Sequence, residues 1–471
     1  TLDEPDTLTW IVDVEHRDEL VHYSIEPRGT RMLVGHRVSQ NWAEEQHVYF
    51  AMAFDRDFEW GDQLGEITRV DTLDDGSLVQ EMSMVPVFVA DFGVVSELNV
   101  HVGLSFCDIE GAIRNLEAEV EGFDFDRHRA ACEARWDNQL GRIQIEGGTQ
   151  DERTTFYTAL YHATTVPNVA SDVDGRYRGT DLRVHQLEQG QGEHYSVFSL
   201  WDTYRALHPL LAWIEPNRTR DMVHTMLRMY EDGGQLPVWE LAANYTGCMI
   251  GYHSVPVIVD AEQWGIEGWD PEVALEAMVQ AADSMHLGLD AYAELGFIPS
   301  DHEHESVSKT LEYAFDDACI ARYATAHDRP DLAARFAKRA ASWKNLVHPE
   351  TGFIQAKRQG AWVEGFDPRE VNFNFTEANA WQYLFAPVHD VSGQRDILGG
   401  DEGHLARLTD LFEAPIQTTG RVQPDITGLI GQYAHGNEPS HHVAYLATYS
   451  GDPGATAERV STLCRDMYAN A

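Results

Sequence analysis

The spacing of apolar residues changes period near residue 108, and that change constrains the fold more than any other feature of the sequence. Residues 1–106 alternate polar and apolar positions, with strands expected over 8–14, 47–54 and 98–104. A period of two sends successive side chains to opposite faces of a sheet. Asp74-Asp75-Gly76-Ser77 carries turn chemistry. An antiparallel β-sandwich is therefore expected over 1–108. From 110 to 140 the period becomes helical, with Ala112, Ile113, Leu116 and Val120 on one face, so 109–145 is expected as a helical linker. Over 146–471 apolar groups recur at three and four residues, in 154–166, 198–213, 219–230, 272–284, 310–326 and 331–345. Gly233-Gly234 and Pro299 punctuate these runs. Many antiparallel helices without a fixed repeat point to a helical toroid rather than a bundle or solenoid.

The chain's 471 residues accommodate two or three domains, and 43% hydrophobic residues suffice for real cores. Its net charge of −43 excludes nucleic acid and anionic membrane as partners, since phosphates would be repelled. Lysine is confined to positions 309, 338, 344 and 357. Scarce lysine with acid excess suits a salt-tolerant or GC-rich source and acts on solubility. The cysteines, Cys107, Cys132, Cys248, Cys319 and Cys464, show no metal-ligand spacing and are odd in number, so buried free thiols are expected. No run of apolar residues is long enough to span a membrane. The residues from Thr1 onward carry no signal-peptide pattern, which says nothing about a processed product.

Residues 373–383 hold the densest chemical signal. Glu377 lies among Phe373, Phe375, Trp381 and Tyr383, with Asn374, Asn379 and Gln382 supplying amides. A carboxyl in an apolar wall is desolvated, so its pKa rises and it can keep a proton near neutral pH. Aromatic faces and amides also suit a sugar, with its apolar ring faces and rim of hydroxyls. The same residues also fit an ordinary helix start, with Thr376 as N-cap and Glu377 in the first turn.

Further constellations share this double reading. In 199–205, Trp201 could stack on a sugar, and Asp202 could accept from vicinal hydroxyls with Arg205 orienting it. A capping Ser199 with an Asp202–Arg205 pair is the structural alternative. The glycine-punctuated stretch 234–253 offers Trp239, Glu240, Tyr252 and His253 as binding or structural groups. The run 301–309 is rich in acids and histidines but fits an acidic first helical turn capped by Ser306 or Asp301. In 431–442, Asn437 and Glu438 sit in a sharp loop between Gly436 and Pro439, where Glu438 could hold a hard cation. His441 and His442 are adjacent and face different ways, so they make poor joint ligands.

Taken together, Val197–Arg205, Leu236–Glu240, Thr246–Gly251, Ser306–Tyr313, Thr376–Tyr383 and His435–His442 resemble the motifs of glycoside hydrolase family 92, in order along the chain. The resemblance implies an N-terminal β-sandwich followed by an (α/α)6 helical barrel. It implies a calcium-dependent, inverting exo-α-mannosidase, secreted or at a bacterial cell surface, removing terminal mannose from α-mannosides such as high-mannose N-glycans or mannans. By the same resemblance Glu377 is the general acid and Asp202 contacts the terminal mannose. Trp201, Arg205, Trp239, Glu240, Tyr252, His253, Trp381, Asn437 and Glu438 complete the expected substrate contacts, and Glu438 is the expected calcium ligand.

The family's base lies in a Gly-Asn-Asp/Glu-Asp segment expected soon after the helix at 460–468, and the chain stops at Ala471. N-terminal strands of the family are also absent before Thr1. The expectation is an internal portion of the enzyme, weakly active alone and with an open core, its base supplied by a continuation or a second chain. A mannose-phosphate-mannose diesterase and a non-catalytic carbohydrate-binding fragment are the alternatives. The presence of Glu377 favours an ordinary glycosidic linkage over a phosphodiester, whose phosphate leaves without protonation. Ala378, where many members have glycine, is expected to fit a helical turn.

Overall fold

The computed structural model describes residues 4–72 and 78–468, and over 62–87 the backbone alone. The turn expected at 74–77 lies outside the described residues. Contacts divide the chain into two compact units: 1–143 with 166–198 and 239–247, and 144–165 with 199–238 and 248–471. Antiparallel β-sheets followed by a helical domain are what the change of period anticipated.

The β unit contains seven long strands: β1 (Asp6–Asp13), β2 (Glu19–Pro27), β3 (Met32–Gln40), β4 (Gln46–Phe54), β5 (Glu59–Thr72), β6 (Leu78–Val95) and β7 (Val100–Ser105). They form two antiparallel sheets, ordered β1-β6-β5 and β2-β3-β4-β7. Val12, Leu33, Phe50, Phe54, Phe58, Phe88 and Phe92 from both sheets make one buried cluster. The expected linker does not behave as one segment. Helix Ile109–Glu119 buries Ala112 and Leu116 against Val34 and Ala51 of the second sheet, whereas helix Phe125–Leu140 buries no residue. Gly103 permits the first of these contacts, because a Cβ there would come within 2.3 Å of Ala112 O and 2.7 Å of Leu116 Cβ. The excursions 166–198 and 239–247 also join the β unit, although their surroundings in sequence are helical.

The helical unit is built mainly from helices Gln150–Ala163, Leu207–Ile214, Pro216–Gly233, Ser254–Gln263, Pro271–Asp283, Ser306–Ala326, Pro330–Ala340, Gly400–Glu413 and Pro453–Asp466. Ser306–Ala326, the longest of these, has fourteen buried residues, more than any other. Its Val307, Leu311 and Ala314 share a core with Trp343, Phe375, Ala378, Tyr383, Tyr433 and Val443. All five cysteines are free; only Cys107 is buried, while Cys132 and Cys464 are exposed, a correction to the expectation of uniformly buried thiols. Among the described residues no helix is long and apolar enough to cross a membrane.

The second sheet carries a histidine ladder. His36 stacks on Tyr49 at 4.3 Å and lies 5.7 Å from His47 and 5.5 Å from His22. Burial, then the neighbouring His47, His22 and Arg178, push the His36 pKa from 6.5 down to about 4. Between those values the unfolded chain binds a proton that the folded chain refuses, so stability is lost as pH falls through this window. His36→Phe should therefore flatten the acid side of the stability curve, measured by thermal melts between about pH 7 and pH 4.

Candidate active site

Glu377 is placed by a turn hung on the first turns of helix Ser306–Ala326. Thr376 N donates to Ser308 Oγ at 2.9 Å, Glu305 N to Phe373 O at 2.6 Å and Val307 N to Asn374 O at 3.1 Å. Phe375 and Ala378 on either side are buried, so the backbone between them is held while the Glu377 side chain remains half-buried. Glu377 itself has φ +47°, a left-handed conformation uncommon for a residue with a side chain. The local reading of an ordinary helix start is corrected here. The cap is Asn379, whose side chain accepts from Trp381 N and Gln382 N while Gln382 Oε1 accepts from Asn379 N. Glu377 thus stands outside the helix Ala380–Tyr383, and Ala378 is buried without being in a helical turn. Asn379 Nδ2 donates to Gln432 Oε1 at 2.8 Å and Gln382 Nε2 to Gln432 O at 3.2 Å, which ties this turn to the 432–438 loop.

Other acids gather around it. Burial, then the Asp425 carboxylate, with Asp202 and Glu305 adding to it, raises the Glu377 pKa against an opposing hydrogen bond from Asn437. Asn437 Nδ2 also donates to Glu377 O at 2.9 Å. Glu438 begins a short 3-10 turn, and its pKa is pushed up to about 7 by burial and then by Asp202, with Arg205 opposing. Asp202 accepts from Ser199 Oγ. Glu305, at φ +55°, is the left-handed residue preceding helix Ser306–Ala326 and makes no side-chain cap. The expected capping of this helix by Ser306 or Asp301 is not what forms; in the same run Glu303 is paired with Lys309 at 2.8 Å. The structure thus brings Asp202, Glu377, Asn437 and Glu438 together and adds Glu305 and Asp425.

The remaining expected contacts lie elsewhere. Trp201 is fully buried, has no open face for a sugar, and donates Nε1 to Glu312 at 3.2 Å. Arg205 packs its guanidinium 4.9 Å from the Trp201 ring and 4.8 Å from the Tyr204 ring, and donates to Glu312 at 3.2 Å. Tyr252 and His253 are buried: Tyr252 Oη donates to Asp317 at 2.8 Å, and His253 Nδ1 pairs with Asp316 at 2.8 Å. Trp201, Tyr252 and His253 are thus enclosed in the protein interior, whereas Arg205 also lines a cavity of the helical unit and interacts with Glu438. Trp381 is half-buried, edge-on to Phe353. Trp239 and Glu240 belong to the β unit. There the buried Glu240 accepts from Ser196 Oγ, Val197 N and Ala243 N at 2.9, 2.9 and 2.6 Å. It stabilises backbone that is left-handed at Val197, Ala242 and Ala243. Trp239 packs edge-on to Trp42, which is 53% exposed and which sequence reasoning missed. His441 and His442 do point apart, donating to His435 O and Phe385 O.

Residues 111–471 match the glycosyl hydrolase family 92 catalytic domain. The chain belongs to glycosyl hydrolase family 92. A family GH92 α-mannosidase of Bacteroides thetaiotaomicron, BT3965, solved with mannoimidazole, is 32% identical with a TM-score of 0.89, over 99% of this chain and 63% of that one. The inverting mannosidase BT2199 of the same species is 30% identical with a TM-score of 0.84, over 98% of this chain and 64% of that one. An uncharacterised secreted glycosidase of Arthroderma benhamiae is 24% identical over 421 residues, 80% of this chain and 48% of its own length. The family 92 chain described here thus spans less than two thirds of each relative.

Among the described residues no group of three or more His, Cys, Asp or Glu side chains is placed to hold a metal ion.

Asn379→Ala should cost about 1–3 kcal/mol, since it removes a cap and leaves buried donors unpaired. The drop in Tm checks the cost. A loss of activity larger than that drop explains would show that the Asn379–Gln432 tie also holds the Glu377 turn.

Proposed function

We propose that this chain is the acid-bearing part of a calcium-dependent, inverting exo-α-mannosidase that removes terminal mannose from α-mannosides such as high-mannose N-glycans or mannans. The observation that carries this reading is Glu377, a half-buried carboxyl among other carboxylates, with a raised pKa and a backbone conformation maintained at a cost. Such a group retains its proton to higher pH than a free glutamate and can deliver it to a departing glycosidic oxygen. Asp202 and the Asn437–Glu438 loop would take the terminal sugar's hydroxyls. Bound calcium, with Glu438 as its carboxylate ligand, would polarise those hydroxyls and favour ring distortion. The names of the two Bacteroides relatives, one a mannosidase and one an inverting mannosidase, support the substrate class and stereochemistry. The secreted glycosidase among the relatives supports an extracellular location.

An inverting enzyme needs a second carboxylate about 6.5–9.5 Å from the acid to activate water. We assign that base to residues outside this segment, either a continuation of the chain or a second chain.

In the full-length protein, Glu377→Gln should lower kcat about 100-fold or more on a mannoside with a poor leaving group and far less on an activated aryl mannoside. Equal loss on both would remove the acid role. Because Glu377 acts protonated, activity on the poor leaving group should fall as pH rises through its elevated pKa, and Glu377→Gln should abolish that limb. Chelator should silence the enzyme and calcium restore it, with Glu438→Gln raising the calcium concentration required.

A further inference from the structure

Helix Ser306–Ala326 carries three buried carboxylates that the mechanism above does not use, Glu312, Asp316 and Asp317, and of these Glu312 bonds to both turns. Glu312 is 5% exposed and lies beneath both turns that present acids to the site. Its Oε1 accepts from Trp201 Nε1 at 3.2 Å and Arg205 Nη2 at 3.2 Å, which flank Asp202 in the 199–205 turn. The same oxygen accepts from Tyr383 Oη at 3.4 Å, and Tyr383 closes the short helix that follows Glu377. Its Oε2 lies 3.4 Å from His253 Nε2, and the other ring nitrogen of His253 is fixed on Asp316. Gly251 lies close against the His253 ring: a Cβ there would come within 2.3 Å of Nε2. One turn earlier Ser308 accepts from Thr376 N, so the helix grips the Glu377 turn at two levels.

We propose that Glu312 is a positioning residue that holds the Asp202 turn and the Glu377 turn against one face of helix Ser306–Ala326, fixing the sugar-binding carboxylate relative to the proton donor. The idea rests on the mannosidase reading for its kinetic consequences but not for its geometry. A buried carboxylate accepting three donors from two separate turns is a junction that no apolar side chain can replace, because each donor would be left unpaired. Small displacements of a proton donor reduce rate steeply.

The test uses the full-length protein with Glu312→Ala, Glu312→Gln, Tyr383→Phe and Trp201→Phe. Glu312→Ala should lower kcat on a poor-leaving-group mannoside about 10-fold more than on an activated one, and raise KM for both. Glu312→Gln, which keeps an acceptor oxygen, should recover most of this. Tyr383→Phe should reproduce chiefly the leaving-group effect, and Trp201→Phe chiefly the KM effect. A purely structural role predicts instead equal losses on both substrates that follow the drop in Tm, and that result overturns the proposal. If Glu312→Ala fails to fold, the two single-donor variants still decide, since an absence of any kcat-against-KM split between them overturns it. If the wild-type enzyme does not cleave mannosides, the mannosidase reading fails separately. Crystal structures of Tyr383→Phe and Trp201→Phe then judge the positioning: displaced 377 and 202 turns support it, and unmoved turns refute it.

Discussion

The desolvation of Glu377 depends on the hydrogen bond from Thr376 N to Ser308 Oγ and the two backbone bonds beside it. They dock an irregular stretch onto the longest helix of the unit. Without them, residues 373–379 would be a loop in water, and Glu377 would titrate like any exposed glutamate. With them, Phe375 and Ala378 join the core, the peptide between is forced into the left-handed region, and the carboxyl is delivered to a half-buried position. The strain is tolerated because both flanks are over-determined by packing and by the Asn379–Gln382–Gln432 bonds.

This arrangement explains why some residues were legible in sequence and others were not. Period alone separated the sheets from the helices, since sandwich strands with one wet face and amphipathic helices leave different apolar spacing. It did not reveal β2, β3, β5 and β6, nor helix Ser254–Gln263, whose residues 254–259 are all buried. That helix, enclosed along 254–259, has no polar face to mark a period. In the expected helical linker Ala112 and Leu116 do lie on one face, but nothing local says that the face meets a sheet whose Gly103 leaves room for it.

Glu377, Asp202, Asn437 and Glu438, which the fold brings together, stood out in the sequence because a carboxyl or amide between glycine, proline or aromatic neighbours is conspicuous. Trp201, Tyr252 and His253 were equally conspicuous yet turned out to be buried supports. Residue type reports what a group can do; burial reports whether it meets a ligand, and burial is set by long-range packing. Trp201 and Glu312 are 111 positions apart, and only the fold puts an indole donor onto that carboxylate. Glu305 drew no role of its own for the converse reason, as the run 301–309 looks like an ordinary acidic turn.

A chain of net charge −43 that also concentrates Asp202, Glu305, Glu377, Asp425 and Glu438 in one place sets itself an electrostatic problem. Arg205 is the cation that opposes the charge on Glu438, and it is shared with Glu312 beneath. Crowded carboxylates have two ways to relieve repulsion, a proton or a metal cation. A proton on Glu377 makes it an acid. A cation at Glu438 would leave that carboxylate charged and able to bind. The same repulsion thus serves two ends, provided the two groups are held too rigidly to move apart. That rigidity comes from the helix below, whose Ser308 and Glu312 hold both turns.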